Sequence, residues 1–304
     1  MTRPRLYFCD HHTIPLPAGH KFPTEKYALI RELLSADDQF EFEAAPAAEL
    51  ERIECAHERD YVRRVIDGAV PAAAMRRIGF PWSEGLVRRT LASVGGTLRA
   101  TEDALNAGWG GNLAGGTHHA FRDSGAGFCV FNDLAIAFES FRAAGRIRRA
   151  AVLDLDVHQG DGTAAIFQNE ADVLTISIHA ANNFPFRKQR SSIDVALPDQ
   201  ADDAMFLTAL DSVLTPLRAF RPDIIFYQSG VDGLAEDRLG RLALTHTGLK
   251  ERDERVFEFC RAAGYPVVVT LGGGYGAPIA LTAEAHAATF RMAGKIFHGA
   301  GATT

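Results

Sequence analysis

The stretch Asp154-Leu155-Asp156-Val157-His158-Gln159-Gly160-Asp161-Gly162 follows the apolar run Ala150 to Leu153 and sets three carboxylates and an imidazole at the end of an expected strand. Charge at that density needs a partner. Extended backbone sends side chains 154, 156 and 158 to one face, so Asp156 and His158 converge on a cation while Asp154 supports them from beside. A carboxylate with an imidazole suits Zn²⁺ or a related divalent ion better than Mg²⁺, which prefers an all-oxygen shell. Read alone, the same residues also describe a solvated Asp-rich turn leading into a helix, with Asp161 or Thr163 as its cap.

Outward from this stretch, short aliphatic runs recur at Arg5 to Asp10, Asn112 to Gly116, Val173 to His179, Asp223 to Gly230 and Pro266 to Leu271, and read as buried strands like Ala150 to His158. Helix-period segments lie between them. From Met205 to Phe220 the apolar residues Phe206, Leu207, Leu210, Val213, Leu214 and Leu217 share one face. Further helices are expected over Thr24 to Leu34, Glu58 to Ile66, Glu84 to Leu105, Asn132 to Ala144 and Leu249 to Ala263, the last closed by Gly264. Strands alternating with helices predict an α/β fold with a mainly parallel central sheet covered on both faces. No repeat or Pro/Ser-rich linker interrupts the pattern, so residues 1–304 are expected to form a single domain.

A hydrophobic content of 47% with 23% charged residues is ordinary for a globular chain, and disorder is expected only at the ends. The formal charge of −6 argues against nucleic acid as a partner, which wants a clustered basic face. A basic peptide remains compatible with it. The cysteines Cys9, Cys55, Cys129 and Cys260 are scattered without a CxxC spacing, so neither a zinc knuckle nor a disulfide framework is indicated. No apolar run approaches the ~18 residues of a membrane helix, and Met1 to Arg5 leads into Leu6 without a signal-peptide pattern. A cytoplasmic protein without a membrane partner is expected.

In an open parallel sheet, ligands sit beyond the carboxyl ends of the strands. The residues there are Thr117-His118-His119-Ala120, Ser229-Gly230-Val231-Asp232-Gly233 and Gly272-Gly273-Gly274-Tyr275-Gly276, beside the stretch already quoted. If the strands are parallel, these segments share a rim. Asp232 then completes an Asp156, His158, Asp232 ligand set with a position open to water, which a divalent metal would acidify. His118 and His119 are placed to act on that water, with Asp154 and Asp161 orienting them. Tyr275 can donate its phenolic proton to a developing oxyanion. Singly, each piece has a plainer reading: an exposed histidine pair, a turn aromatic, a capping aspartate. The glycine run meets neither GxGxxG nor GxxxxGK[ST], which disfavours a nucleotide loop.

With Gly115-Gly116-Thr117-His118-His119-Ala120, Gly125-Ala126-Gly127-Phe128-Cys129, Asp154 to Gly162, Ser229 to Asp232 and Gly272 to Tyr275 in this order, the chain resembles the histone deacetylase family. That family includes acetoin-utilisation and acetylpolyamine amidohydrolase relatives and has an arginase-like α/β fold. The resemblance implies Asp156, His158 and Asp232 as zinc ligands, His119 as principal general base and acid, and His118 as its electrostatic neighbour, paired with Asp161 and Asp154 respectively. It further implies Tyr275 as the group that polarises the acyl carbonyl. Phe128 and Phe184 would be walls of an acyl-lysine tunnel, and the Gly127 carbonyl an acceptor for the substrate amide. A structural K⁺ is implied near Asp154 and Ser177, and Fe²⁺ is an alternative to Zn²⁺.

Gln159 stands where many eukaryotic members have a second histidine, and the segment 179–194 lacks the usual Pro-Gly-rich loop. With the short chain, these departures look most like the class IV branch and its bacterial relatives. The expectation is a zinc-dependent amidohydrolase that removes an acyl group, acetyl above all, from an N-acyl-lysine side chain or similar acylated amine, by metal-activated water and a histidine dyad. An acetylpolyamine or other small-molecule deacetylase is the alternative, followed by a catalytically silent acyl-lysine binding module and an arginase-like two-metal hydrolase. His20 and His57 are expected at exposed helix ends, His179 near the rim, and Trp82 is placed at the substrate mouth.

Overall fold

The computed structural model describes residues 3–298. Its strands in chain order are β1 (Arg5–Phe8), β2 (Glu41–Ala44), β3 (Trp109–Asn112), β4 (Ala150–Asp154), β5 (Val173–Ala180), β6 (Ile193–Leu197), β7 (Ile224–Gln228) and β8 (Val267–Thr270). They form one eight-stranded sheet in the order β2-β1-β3-β8-β7-β4-β5-β6. Every pairing is parallel. The helices are α1 (Glu25–Ser35), α2 (Leu50–Ile53), α3 (Arg59–Ile66), α4 (Ala72–Ile78), α5 (Glu84–Ala107), α6 (Asp133–Ala143), α7 (Asp161–Ile166), α8 (Asp203–Phe220), α9 (His246–Ala263) and α10 (Ile279–His298). The expected α/β architecture with a parallel sheet is what the chain adopts.

The central strands β4, β7 and β8 are apolar up to a polar residue at their carboxyl ends, Asp154, Gln228 and Thr270, because helices cover both faces of the sheet. All residues of β4, β7 and β8 are buried. At the two edges, β2 carries the charged Glu41 and Glu43, and β6 alternates half-buried Ile193 and Val195 with exposed Asp194 and Ala196; charge on an edge strand discourages further strand addition. Neither edge strand was expected from sequence, being short and polar on alternate positions. A different reason applies to β3, Trp-Gly-Gly-Asn, which precedes the expected run Asn112 to Gly116. Glycine weakens the strand signal, yet here it is required: a Cβ on Gly110 would enter the Ala100 carbonyl of α5. Helix α5 therefore lies unusually close to the sheet. It starts at Ser83, whose hydroxyl accepts from the Leu86 N–H at 3.0 Å, and α9 ends at Gly264 with φ 71, as expected. The small-residue helix α10, which packs on α1 and α9, was not foreseen; its many alanines blur the helical period.

The consequence for function lies in the strand order. The four segments singled out from sequence follow β3, β8, β7 and β4, and these are four consecutive strands of the sheet. Parallel pairing puts their carboxyl ends on one rim.

Candidate active site

Strand β4 ends at Asp154, so extended alternation is not what brings 156 and 158 together. The segment instead turns on its own carboxylates. The Asp156 N–H donates to Asp154 Oδ1 at 3.1 Å, and the His158 N–H donates to Asp156 Oδ1 at 3.0 Å. Such short-range side-chain to backbone bonds are why aspartate favours tight turns. The result is a buried cluster. His158 Nδ1 lies 3.0 Å from both Asp156 Oδ1 and Asp232 Oδ2, and one ligand atom from each of the three residues falls within 4.8 Å of the others. The remaining carboxylate oxygens are tied to backbone: Val157 N–H donates to Asp232 Oδ1 at 2.9 Å and Gly273 N–H to Asp156 Oδ2 at 2.7 Å. A Cβ on Gly230 would enter the Asp156 carboxylate, and one on Gly273 the Asp232 carboxylate.

The donor set fits a divalent cation. Asp156 and Asp232 are 1% and 0% exposed, and only histidines ion-pair with them among the described residues. Buried carboxylates without a compensating cation are costly. The titration behaviour reflects it. Burial and the Asp156 carboxylate push Asp232 up to about 7. Burial works against ionisation of Asp156 too, but His118 and His158 outweigh it and hold its carboxyl well below the usual range. At His158 burial is likewise overcome, by Asp156 and Asp232, and the imidazole is raised to about 10. The cluster draws in positive charge, first as a proton, and a metal bound there would displace that proton.

Beside this cluster the rings of His118 and His119 stand 4.1 Å apart at 51°. Each is held by its own carboxylate: His118 Nδ1–H donates to Asp154 Oδ2 at 2.7 Å, and His119 Nδ1–H to Asp161 Oδ1 at 2.6 Å. All four side chains are buried. Their environments drive the two imidazoles apart. Burial, then the neighbouring His118 charge, lowers His119 to about 4 against the pull of Asp161. For His118 burial is outweighed by Asp154 and then Asp156, and the value rises to about 9. His119 is thus neutral with Nε2 free, and His118 is cationic, near neutral pH. The loop that carries both turns through Gly115 and Gly116 at φ 75 and 74. It is clamped by Asp133, which accepts from Gly116 N–H at 3.0 Å and Thr117 N–H at 2.7 Å. Gln228 Nε2 adds a bond to the Gly116 carbonyl at 2.8 Å.

These groups close the floor of a cavity of about 500 Å³, lined further out by Phe128, Phe184 and Tyr275. The Phe184 ring is 4.9 Å from His119, and the Phe128 ring 6.0 Å from Tyr275. Gly127 and Phe128 both have positive φ, 53 and 65, which turns the segment into the cavity. Burial pushes the Tyr275 phenol well above its usual value, so it keeps its proton. Its backbone is pinned on both sides: its N–H donates to Asp237 Oδ2 at 2.6 Å, and its carbonyl accepts from Arg238 Nε at 2.9 Å. Beneath the glycine turn lies Lys26, 1% exposed, with Nζ 3.3 Å from the carbonyls of Gly272 and Gly274. Burial lowers its ammonium to about 8 against the pull of Asp232 and Asp156.

All the expected site residues therefore meet at one place, and several supporting ones had no sequence signal: Lys26, Asp133, Gln228 and Asp237 act through backbone atoms distant in the chain. Ser177 pairs in register with Asp154 across β4 and β5. Two expectations need correction. His57 is not at an exposed helix end but 3% exposed, its Nε2 accepting from the Asn132 N–H at 2.9 Å. Trp82 does not line the cavity; its Nε1 donates to the Val65 carbonyl at 2.8 Å. His20 is half-buried against Phe80, and His179 is buried and bonded to Ser177 at 2.9 Å.

A family model for the histone deacetylase domain matches residues 20–291. An uncharacterized protein of Picosynechococcus sp. is 44% identical over 298 residues, covering 97% of this chain and 99% of its own length. The histone deacetylase-like amidohydrolase of Pseudomonas aeruginosa is 31% identical over 283 residues, covering 86% of this chain and 74% of that protein. The crystal structure of an acetylpolyamine aminohydrolase from Burkholderia pseudomallei superposes with a TM-score of 0.80 at 24% identity, covering 96% of this chain and 99% of that one, and shows the shared architecture. Sequence and fold agree over nearly the whole chain: it belongs to the histone deacetylase family and is a deacetylase hydrolase.

Proposed function

We propose that the chain hydrolyses the amide of an N-acetylated lysine side chain, or a closely similar acylated amine, in a zinc-dependent reaction. The observation that carries this reading is the pair of neighbouring imidazoles, each held by its own buried carboxylate, beside the Asp156, His158, Asp232 cluster. Zn²⁺ held by those three side chains would supply Lewis acidity toward the acyl carbonyl and toward a water.

The protein's own groups then divide the work. His119, neutral with Nε2 free, accepts a proton from the attacking water and returns it to the leaving amine. Asp161 holds the Nδ1–H tautomer that makes this possible. His118 stays cationic through Asp154 and stabilises negative charge that develops next to it. Tyr275, still protonated, donates its phenolic hydrogen toward the carbonyl oxygen, and the bonds from Asp237 and Arg238 fix where it points. The aliphatic chain of the acylated lysine lies between Phe128 and Phe184, and the Gly127 carbonyl accepts the substrate amide N–H. Acetate and a free amine leave.

The test is turnover of an acetyl-lysine peptide by zinc-loaded protein, read as acetate released. Wild type should turn over. A metal-replete preparation inert toward acetyl-lysine and acetylated amines would refute the hydrolytic reading.

A further inference from the structure

We propose that the mouth of this cavity selects acyl-lysine flanked by acidic residues and disfavours cationic carriers, lysine-rich peptides and polyamines alike. The inference rests on the hydrolytic reading above and adds the class of carrier. Among the described residues one carboxylate lines the cavity, Asp156, and it is buried. Of the four arginines that line it, Arg89 is buried and donates to the Cys9 carbonyl at 3.1 Å, while Arg76, Arg77 and Arg241 are exposed at its surface. Arg241 pairs with Asp199 at 3.0 Å and keeps 53% of its side chain accessible. Neither Arg76 nor Arg77 lies within ion-pair distance of any carboxylate among the described residues.

The arginines flank both proposed walls. Arg76 and Arg77 occupy the last turn of α4, and that turn is bonded to the Phe128 wall: Gly127 N–H donates to the Arg77 carbonyl at 3.1 Å and Phe128 N–H to the Ile78 carbonyl at 2.7 Å. On the other side Asp199, the partner of Arg241, also accepts from Asn182 Nδ2 at 3.2 Å, two residues before Phe184. A carrier leaving the tunnel between Phe128 and Phe184 therefore emerges among guanidinium groups, of which one is locally compensated. Carboxylates two or three residues from the acyl-lysine would meet bidentate donors. The ammonium groups of a polyamine or a lysine-rich tail would meet like charge.

The test uses two labelled peptides sharing a central acetyl-lysine, one flanked by glutamates and one by lysines, with N-acetylputrescine as a third substrate. Binding is measured by fluorescence anisotropy on zinc-loaded protein carrying Tyr275→Phe, which slows cleavage by on the order of 10²–10³ so that binding is read before turnover, and kcat/KM is measured on wild type. The glutamate peptide should bind about tenfold more tightly at low salt. The contrast should shrink as added salt brings the screening length to about 3 Å near 1 M. Replacing Arg76→Glu with Arg77→Glu should reverse the preference, and Arg241→Glu alone should narrow it. Equal binding, tighter lysine-peptide binding, a salt-insensitive contrast, or acetylputrescine turned over faster than the glutamate peptide would overturn the proposal. Peptide preference without turnover upholds the mouth and sinks the hydrolytic reading; turnover without preference does the opposite.

Discussion

At the scale of the residue, His118 and His119 are adjacent in sequence and opposite in charge, and the proposed chemistry depends on that split. His119→Ala removes the group assigned to proton transfer, so kcat on an acetyl-lysine peptide should fall by roughly 10²–10⁴ with little change in peptide affinity. Tyr275→Phe should cost on the order of 10²–10³ in kcat. The pH dependence follows from direction. His119, lowered to about 4, loses its base function only as acid protonates it, while His118, raised to about 9, loses its charge as pH climbs. A bound divalent cation adds positive charge and draws His118 down. The kcat/KM profile should therefore be bell-shaped with its alkaline limb below 9, and His118→Gln should remove that limb. A profile that keeps the limb in the variant contradicts the assignment. These side chains were legible from sequence because each follows an apolar strand and carries unusual chemistry. Lys26 and Asp237 were not, since nothing near them in sequence announces which carbonyls and amides they will hold.

At the scale of the element, the turn after β8 is the component least tolerant of change. A Cβ on Gly273 would occupy the place of the Asp232 carboxylate. Gly273→Ala should lower zinc affinity by roughly 10–100-fold, as loss of ligand support does elsewhere. Metal content after dialysis against a fixed free zinc concentration checks this. Retention of full zinc would show that the turn can move aside. Sequence reading located β4, β7 and β8, though it ran β4 on to His158 where the strand ends at Asp154, because continuous aliphatic runs mark strands buried on both faces. It misplaced β3, where close approach of α5 demands glycine in the strand. It also took strand alternation for the cause of the Asp156 and His158 convergence, when hydrogen-bonded turns produce it.

At the scale of the whole molecule, the site is drawn from the ends of four consecutive parallel strands, and its integrity is tied to that of the fold. His57 illustrates the connection, joining the segment before α3 to the start of α6 through Asn132. Burial lowers it from 6.5 to about 4. A histidine depressed in the folded state leaves stability intact above its unfolded value and removes it as pH falls, here between 6.5 and 4, by up to about 3 kcal/mol. Tm should drop over that window in wild type and less steeply in His57→Gln, and parallel curves would sink the idea. The sheet order itself could not be read from sequence, because strand adjacency is settled by helix packing far along the chain. One feature of the rim bears on handling of the protein. Since the Val157 and Gly273 amides hold one oxygen each of Asp232 and Asp156, part of what positions these two carboxylates is backbone that stays in place when an ion leaves. Chelation should then be a fully reversible ion exchange: activity vanishes and returns on remixing with zinc, with circular dichroism unchanged throughout and no refolding interval.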